Sequence, residues 1–218
     1  MRCAFCHNPV LVFDPGSQPR VTESEFFHYL QRRKGLLQGV VVTGGEPLLH
    51  FDLPEFVQKI RQAGYLVKLD TNGSFPDRLE AILENPGVDA LGMDYKTSAA
   101  NYNLVTGNPE SDLPQRVARS IRRGIQQQNE KGVQVDVRTT VHKRLHSLET
   151  LKQMRLELSE MGVSQWTLQQ FNPVEVIDEH LSSEITYTDN ELVKISKELS
   201  QGEPAMRVRV RGLAGRIL

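Results

Sequence analysis

Cys3 and Cys6 are the only two cysteines among the 218 residues, and they stand three positions apart, followed at once by His7. A lone close pair is no disulfide framework and points instead to metal or redox chemistry in a reducing compartment. The spacing admits three readings: two ligands of an iron–sulfur cluster, half of a zinc site, or the C-x-x-C-H pattern of haem attachment. Haem attachment needs export to an oxidising compartment, and a zinc site needs two further ligands that no second cysteine pair supplies. The plain alternative is a solvent-exposed pair at a frayed terminus with no metal at all.

Three other short stretches concentrate chemistry. Thr43-Gly44-Gly45-Glu46-Pro47 combines glycines, which let a ligand approach the backbone, with a carboxylate that accepts hydrogen bonds from an ammonium group. Taken alone, G-G-E-P also suits an ordinary tight turn. Asp70-Thr71-Asn72-Gly73 and Asp94-Tyr95-Lys96 add charge, although Asp70 also suits a turn cap with Asn72 and Gly73, and Lys96 a solvated loop. Arg138 lies inside Val135-Asp136-Val137-Arg138-Thr139-Thr140, and a strand arginine pointing into a barrel must find an anion. Asp136 and Arg138 therefore share the barrel side, or both face out. His142 and His146 follow that strand; loop histidines are more often exposed, so both stay outside the catalytic set.

The elements that must position these residues are written in short apolar runs alternating with helical periods. Strands are expected at 39–43, 66–70, 90–94, 134–140, 164–169 and 207–211. Helices are expected from Thr22 with Glu25 as a capping pair, from Asp52 with Glu55 as another and Gly64 as the stop, from Pro76, from Pro114, and after the caps Ser147 and Thr188. Continuous apolar strands alternating with amphipathic helices imply an α/β fold, a partial, open β/α barrel of parallel strands covered by helices on one side. In such a fold functional groups collect at the C-terminal strand ends, where the three charged loops fall. No internal repeat or linker is evident, so residues 1–218 read as one domain.

Lys plus Arg (26) nearly cancel Asp plus Glu (27), so global electrostatic capture of nucleic acid is not expected. No apolar run approaches the roughly 20 residues of a membrane span, and the start carries no signal-peptide stretch, so the expected address is cytoplasmic. Arg207, Arg209 and Arg211 alternate with Met206, Val208 and Val210. The simplest expectation is a solvated strand edge, with a docking surface for an acidic partner as the functional alternative.

Together these residues resemble the radical S-adenosylmethionine enzymes, whose cluster motif C-x3-C-x2-C carries an aromatic residue before the last cysteine, here Phe5, and whose first strand loop reads G-G-E-P. Cys6-His7-Asn8-Pro9, Thr43 to Pro47, Leu69-Asp70-Thr71-Asn72-Gly73 and Met93-Asp94-Tyr95-Lys96 are similar to the activators of glycyl-radical enzymes, particularly those of anaerobic ribonucleoside-triphosphate reductase. The likeness implies that Cys3 and Cys6 ligate a four-iron four-sulfur cluster whose unique iron chelates S-adenosyl-L-methionine. It implies that Gly44, Gly45 and Glu46 hold the amino group, that Asp70 and Asp94 lie near the methionine carboxylate, where like charges repel unless Lys96, Arg138 or a bound cation intervenes, that Lys96 partners the carboxylate or the ribose, and that Phe5 and Asn72 belong to the same cofactor site. The implied chemistry is reductive cleavage to a 5'-deoxyadenosyl radical that abstracts hydrogen from a glycine of a partner protein, with a flavodoxin- or ferredoxin-type donor and an anaerobic setting.

The same resemblance expects a strand before the cysteine loop and a further cysteine four positions ahead of Cys3, one residue before Met1. An N-terminal truncation is therefore expected, with the first barrel strand missing, the strand at 39–43 left with an unpaired edge, and a cluster held poorly by two thiolates. Phe171-Asn172 stands where formate-lyase activators carry a tyrosine–histidine pair, which points away from a formate-lyase partner. Two other readings stand beside the activase: an enzyme of the same fold acting on a small molecule or another peptide, and a non-catalytic binding remnant.

Overall fold

The β-branched and aliphatic runs form six strands, β1 (Gly39–Val42), β2 (Leu66–Thr71), β3 (Ala90–Asp94), β4 (Gln134–Val141), β5 (Gln165–Gln170) and β6 (Arg207–Arg211). All neighbours are parallel and the strands pair in sequence order. The computed structural model describes residues 1–6, 8–110, 112–173, 176–202, 204–213 and 215–218; His7 lies outside them. Each strand boundary lies within one residue of its sequence expectation.

The helices are α1 (Pro9–Phe13), α2 (Glu23–Arg32), α3 (Leu53–Gln62), α4 (Pro76–Glu84), α5 (Tyr102–Thr106), α6 (Leu113–Lys131), α7 (Leu148–Glu160), α8 (Glu179–Ser183) and α9 (Asp189–Ser200). Thr22 and Thr188 open α2 and α9 as full capping boxes with Glu25 and Glu191, and the Ser147 hydroxyl accepts from Thr150 N–H at the start of α7. Asp52 departs from expectation: its side chain makes no cap bond, and Glu55 pairs instead with Lys59 at 2.9 Å, one turn along α3. Asp52 has helical backbone angles, whereas a cap that accepts from N2 or N3 is usually extended. Gly64 follows α3 with φ +88°, the left-handed turn that stops the helix.

Alternation along the strands divides the sheet into two faces. One face joins the helices in a single core: Val67 and Leu69 of β2 and Val137 of β4 lie with Val57 and Ile60 of α3, Val117 and Ile121 of α6, and Leu151 and Leu158 of α7. On the other face the same strands carry Lys68, Asp70, Gly92, Asp94, Asp136, Arg138, Thr167, Arg209 and Arg211, and the ion pairs below cross it. An open six-stranded parallel sheet with helices on one face and a polar inner face is the partial β/α barrel that the pattern implies.

The register sets the site. Asp70 pairs with Gly92, Asp94 with Arg138, Arg138 with Thr167, and Thr167 with Arg209. Charged residues therefore recur on the inner face from β2 to β6, with Gly92 and Thr167 between them. Arg209 and Arg211 belong to this inner face, so the expected solvated edge is corrected: only Arg207 of the three is exposed. β1 is the end strand on the opposite side; among the described residues no strand pairs with its outer edge, and Val41 is exposed there.

Candidate functional site

The N-terminal segment folds over the C-terminal ends of the strands. Arg2 N–H donates to Thr106 O at 2.8 Å, Asp178 N–H donates to Ala4 O at 2.9 Å, and Cys6 N–H turns back to Cys3 O at 3.0 Å. Cys3 and Phe5 pack in a small core with Val105, Phe171, Val176 and Leu181. The pair is thus anchored rather than frayed, with Cys3 buried and Cys6 half-buried. Burial pushes the Cys3 thiol pKa up, and the Lys96 ammonium opposes that shift.

Beneath this loop lies a cavity of about 470 Å³, within the range of small-molecule sites. It is lined by Cys3, Phe5, Cys6, Gly44, Gly45, Glu46, Asp70, Asn72, Asp94, Lys96 and Arg138, together with Met1, Thr43 and Thr140 among others. Every residue singled out by sequence for the site therefore borders one hollow.

At β1, Gly44 has φ +132°, a conformation open to glycine, and a Cβ at Gly44 or Gly45 would meet nothing within 4 Å. The backbone here faces open space. Glu46 is buried, and its Oε1 accepts from the Thr71 hydroxyl at 2.7 Å and from Leu48 N–H at 3.1 Å, while Oε2 accepts from Asn72 N–H at 2.8 Å. It thereby staples the β1 loop to the end of β2. Burial raises its pKa, and these three hydrogen bonds work against the rise. Three of about four acceptor positions are filled, which leaves room for one more donor.

The turn after β2 is made by Thr71 and Asn72, which accept from Gly73 N–H and Ser74 N–H, and not by Asp70. Asp70 instead faces Arg138, whose Nη2 lies 3.0 Å from Oδ2, while Lys68 Nζ stands 3.2 Å from Oδ1 outside hydrogen-bond geometry. Arg138 Nε donates to Asp94 Oδ1 at 2.7 Å and Lys96 Nζ to Asp94 Oδ2 at 3.2 Å. Arg138 is thus the cation between two carboxylates. Burial alone would raise the Asp94 carboxyl, but Lys96 and Arg138 outweigh it and hold the pKa below the ordinary value. The Lys96 ammonium also stands 5.6 Å from the centre of the Phe5 ring.

The two histidines correct the sequence expectation, for both are fully buried. His146 Nδ1 accepts from His142 N–H at 3.1 Å, which assigns the proton to Nε2, and that nitrogen donates to Lys96 O at 2.7 Å. Burial lowers its pKa to about 4, so the imidazole is neutral. His146 also meets the Phe5 ring edge-on at 6.3 Å, and His142 meets Phe171 edge-on at 5.0 Å. The β4–α7 loop thus braces both Lys96 and the cysteine loop. Its signal was two histidines four apart, which alone does not distinguish surface from brace.

Gly92 was also missed. A Cβ there would lie 2.2 Å from Asp70 Oδ1 and 3.0 Å from Arg138 Nη1, so the absent side chain is the gap through which the two meet. A glycine inside a strand is a recognised mark of such close approach.

Fold and site define an open parallel β/α barrel with a thiol-bearing loop over a charged strand-end cavity. The chain belongs to the radical SAM superfamily, whose sequence profile matches residues 1–154. A candidate glycyl-radical enzyme activating enzyme of Methanocaldococcus jannaschii is 26% identical over 198 residues, covering 90% of this chain and 79% of that one. A domain of the pyruvate-formate lyase-activating enzyme from Bacteroides vulgatus superposes with a TM-score of 0.59 at 16% identity, over 79% of this chain and 98% of that one. Streptococcus suis SuiB gives a TM-score of 0.66 at 15% identity over 97% of this chain and 46% of that one. The last two likenesses concern the fold.

Proposed function

We propose that the chain binds S-adenosyl-L-methionine in the strand-end cavity, against an iron–sulfur centre on the Cys3–Cys6 loop, and acts as the activase of a glycyl-radical enzyme. The observation that carries the reading is the shared hollow: both thiols, the open Gly44-Gly45 backbone and the Asp94–Lys96–Arg138 ion set line one cavity.

The residues suit S-adenosyl-L-methionine on their own geometry. Gly44 and Gly45 leave a cradle that side chains would fill, Glu46 keeps one acceptor position, and Asp70 Oδ1 is a buried acceptor without a hydrogen bond among the described residues. These match a ligand that brings an ammonium group and hydroxyls. The thiols suit part of the metal group's needs. Three irons of a cubane take three protein ligands, the sequence has two cysteines, and among the described residues no three His, Cys, Asp or Glu side chains group as a metal site.

When bound, the cluster and S-adenosyl-L-methionine supply one-electron reductive cleavage at the sulfonium, and with it a hydrogen-abstracting carbon radical. The chain's own part is placement. Gly44, Gly45 and Glu46 hold the amino end, and Lys96, steadied by Asp94 and His146, offers its charge to the carboxylate. Phe5 and the Met1–Cys6 loop form one wall of the hollow and would limit the access of water and stray hydrogen donors to a bound ligand. No side chain is asked to act as general acid or base.

The activase reading draws support from the Methanocaldococcus relative, which spans most of this chain. An anaerobic ribonucleoside-triphosphate reductase is the proposed target, a flavodoxin or ferredoxin the proposed donor, and an anaerobic cytoplasm the proposed setting. The test is anaerobic incubation with S-adenosyl-L-methionine, reductant and that reductase, read by electron paramagnetic resonance. A glycyl doublet is expected. Cleavage without a doublet on any candidate reductase would move the assignment to a small-molecule or other peptide substrate.

A further inference from the structure

The inner face carries a second charged cluster, toward β6, that the cavity chemistry does not use. Asp136 stands between two guanidiniums: Arg211 Nη2 donates to its Oδ2 at 3.2 Å, and Arg209 Nη2 lies 3.7 Å from its Oδ1. The Oδ1 atom is already taken by the Thr167 hydroxyl at 2.7 Å. Among the described residues no other carboxylate stands within 4.0 Å of either guanidinium, so one anion faces two cations.

Arg209 is the telling member. Its guanidinium has five N–H groups and donates no hydrogen bond among the described residues, and its Nε is buried without a partner. A buried donor left open in a folded protein asks for an explanation, and beside two guanidiniums that share one carboxylate an incoming anion is the one the charges favour. The side chain is about one-quarter exposed (26%), as is that of Arg211 (28%), so the cluster remains reachable from the inner face. Gln169 pairs in register with both Arg211 and Thr140, and Thr140 lines the strand-end cavity. Two strand spacings, about 10 Å, therefore separate the cavity wall from Arg211.

We propose that Arg209 and Arg211 form a subsite for an oxyanion carried by the substrate, which enters the half-barrel beside S-adenosyl-L-methionine. Asp136 keeps the two guanidiniums on the inner face, and the incoming carboxylate or phosphate supplies the acceptors that Arg209 lacks. The subsite rests on the reading of the strand-end cavity as the place of reaction, and it adds the chemistry of the molecule that reacts there. An acidic side chain beside the reacting glycine and a phosphate of a small molecule present the same oxygens, so the test has an arm for each.

The experiment uses the full chain labelled with nitrogen-15, observing the arginine Nε–H signals. Acetyl-glycyl-glutamate amide, its glutamine counterpart and inorganic phosphate are titrated separately. The Arg209 and Arg211 signals are expected to shift saturably with the glutamate peptide, with phosphate, or with both, and to ignore the glutamine peptide. Tighter binding of the first marks a peptide carboxylate as the source, tighter binding of the second a phosphate. Arg209→Gln should weaken that binding by about 10-fold to 100-fold. Its circular dichroism spectrum should be unchanged, which separates lost binding from lost folding.

Unmoved arginine signals with both anions would overturn the subsite, as would equal shifts from the glutamine peptide or undiminished binding in Arg209→Gln. S-Adenosyl-L-methionine is titrated in parallel and read at the Gly44 and Gly45 amides. Silence at those amides with a working anion response would fail the cavity reading alone, and the converse would fail the subsite alone.

Discussion

Arg138 reaches Asp70 across an intervening strand, with Nη2 standing 3.0 Å from Oδ2. The bridge exists because β3 offers Gly92 at the crossing, where a Cβ would collide with Asp70 Oδ1. Gly92→Ala should therefore cost about 1–3 kcal/mol, the range for forcing a methyl into a filled space. It should also weaken S-adenosyl-L-methionine binding by displacing Arg138. Urea unfolding alongside a calorimetric titration measures both, and an alanine variant with unchanged stability would contradict the bridge.

Removing the cation tests the same bridge from the other side. Arg138→Gln leaves Asp70 and Asp94 facing each other and should cost about 3 kcal/mol, the scale for breaking a largely buried ion pair. The Asp94 pKa is depressed in the folded protein, so its contribution is present above the unfolded carboxyl value of about 3.9 and is lost as pH falls through the lower folded value. In the variant that contribution shrinks. Urea midpoints measured from neutral pH downward should show a lower plateau and a shallower fall below about pH 4.

His146 gives a pH dependence of its own. Its folded pKa, about 4, lies below the ordinary 6.5, so the neutral ring stabilises the fold above pH 6.5 and that support drains away as pH falls toward 4. The contribution is up to about 3 kcal/mol. His146→Gln should flatten stability across this interval. Burial also pulls the His142 pKa down, so its single variant is the control for the slope that remains. An unchanged slope in His146→Gln would argue against the buried neutral ring.

The order of elements and the members of the cavity were legible because both depend on local signals. Capping pairs, prolines at helix starts and apolar runs fix where the strands end, and a parallel sheet carries those ends to one side. Arg138 was readable as a strand cation in need of an anion, and the structure supplies two. Less legible was whatever depends on packing from another element. His142 and His146 are buried because α5, α8 and the cysteine loop close around theirs, and nothing adjacent in sequence announces that. Arg209 and Arg211 look like a solvated edge until the register places Asp136 two strands away on the same face.

Glu46 is expected to be irreplaceable even by its amide. Oε1 accepts from Thr71 and Leu48, and Oε2 accepts from Asn72, so either orientation of a glutamine turns an NH2 group toward at least one backbone N–H. Glu46→Gln should cost about 1–3 kcal/mol for the unpaired donor. Thermal unfolding of the variant beside Glu46→Asp is the comparison to make. A glutamine variant as stable as the parent would mean that Glu46 does not staple the two loops.

The cavity under the Cys3–Cys6 loop is proposed to bring S-adenosyl-L-methionine against a metal centre on that loop. The most direct measurement is 5'-deoxyadenosine formed by the chain after anaerobic loading with iron, sulfide and a small thiol to complete the ligand set, then reduction. 5'-Deoxyadenosine and methionine are expected in equal amounts from the parent chain, with loss of both in Cys3→Ser and Cys6→Ser. Undiminished product in the serine variants, or none from a parent chain that holds its cluster and binds S-adenosyl-L-methionine, would contradict that placement.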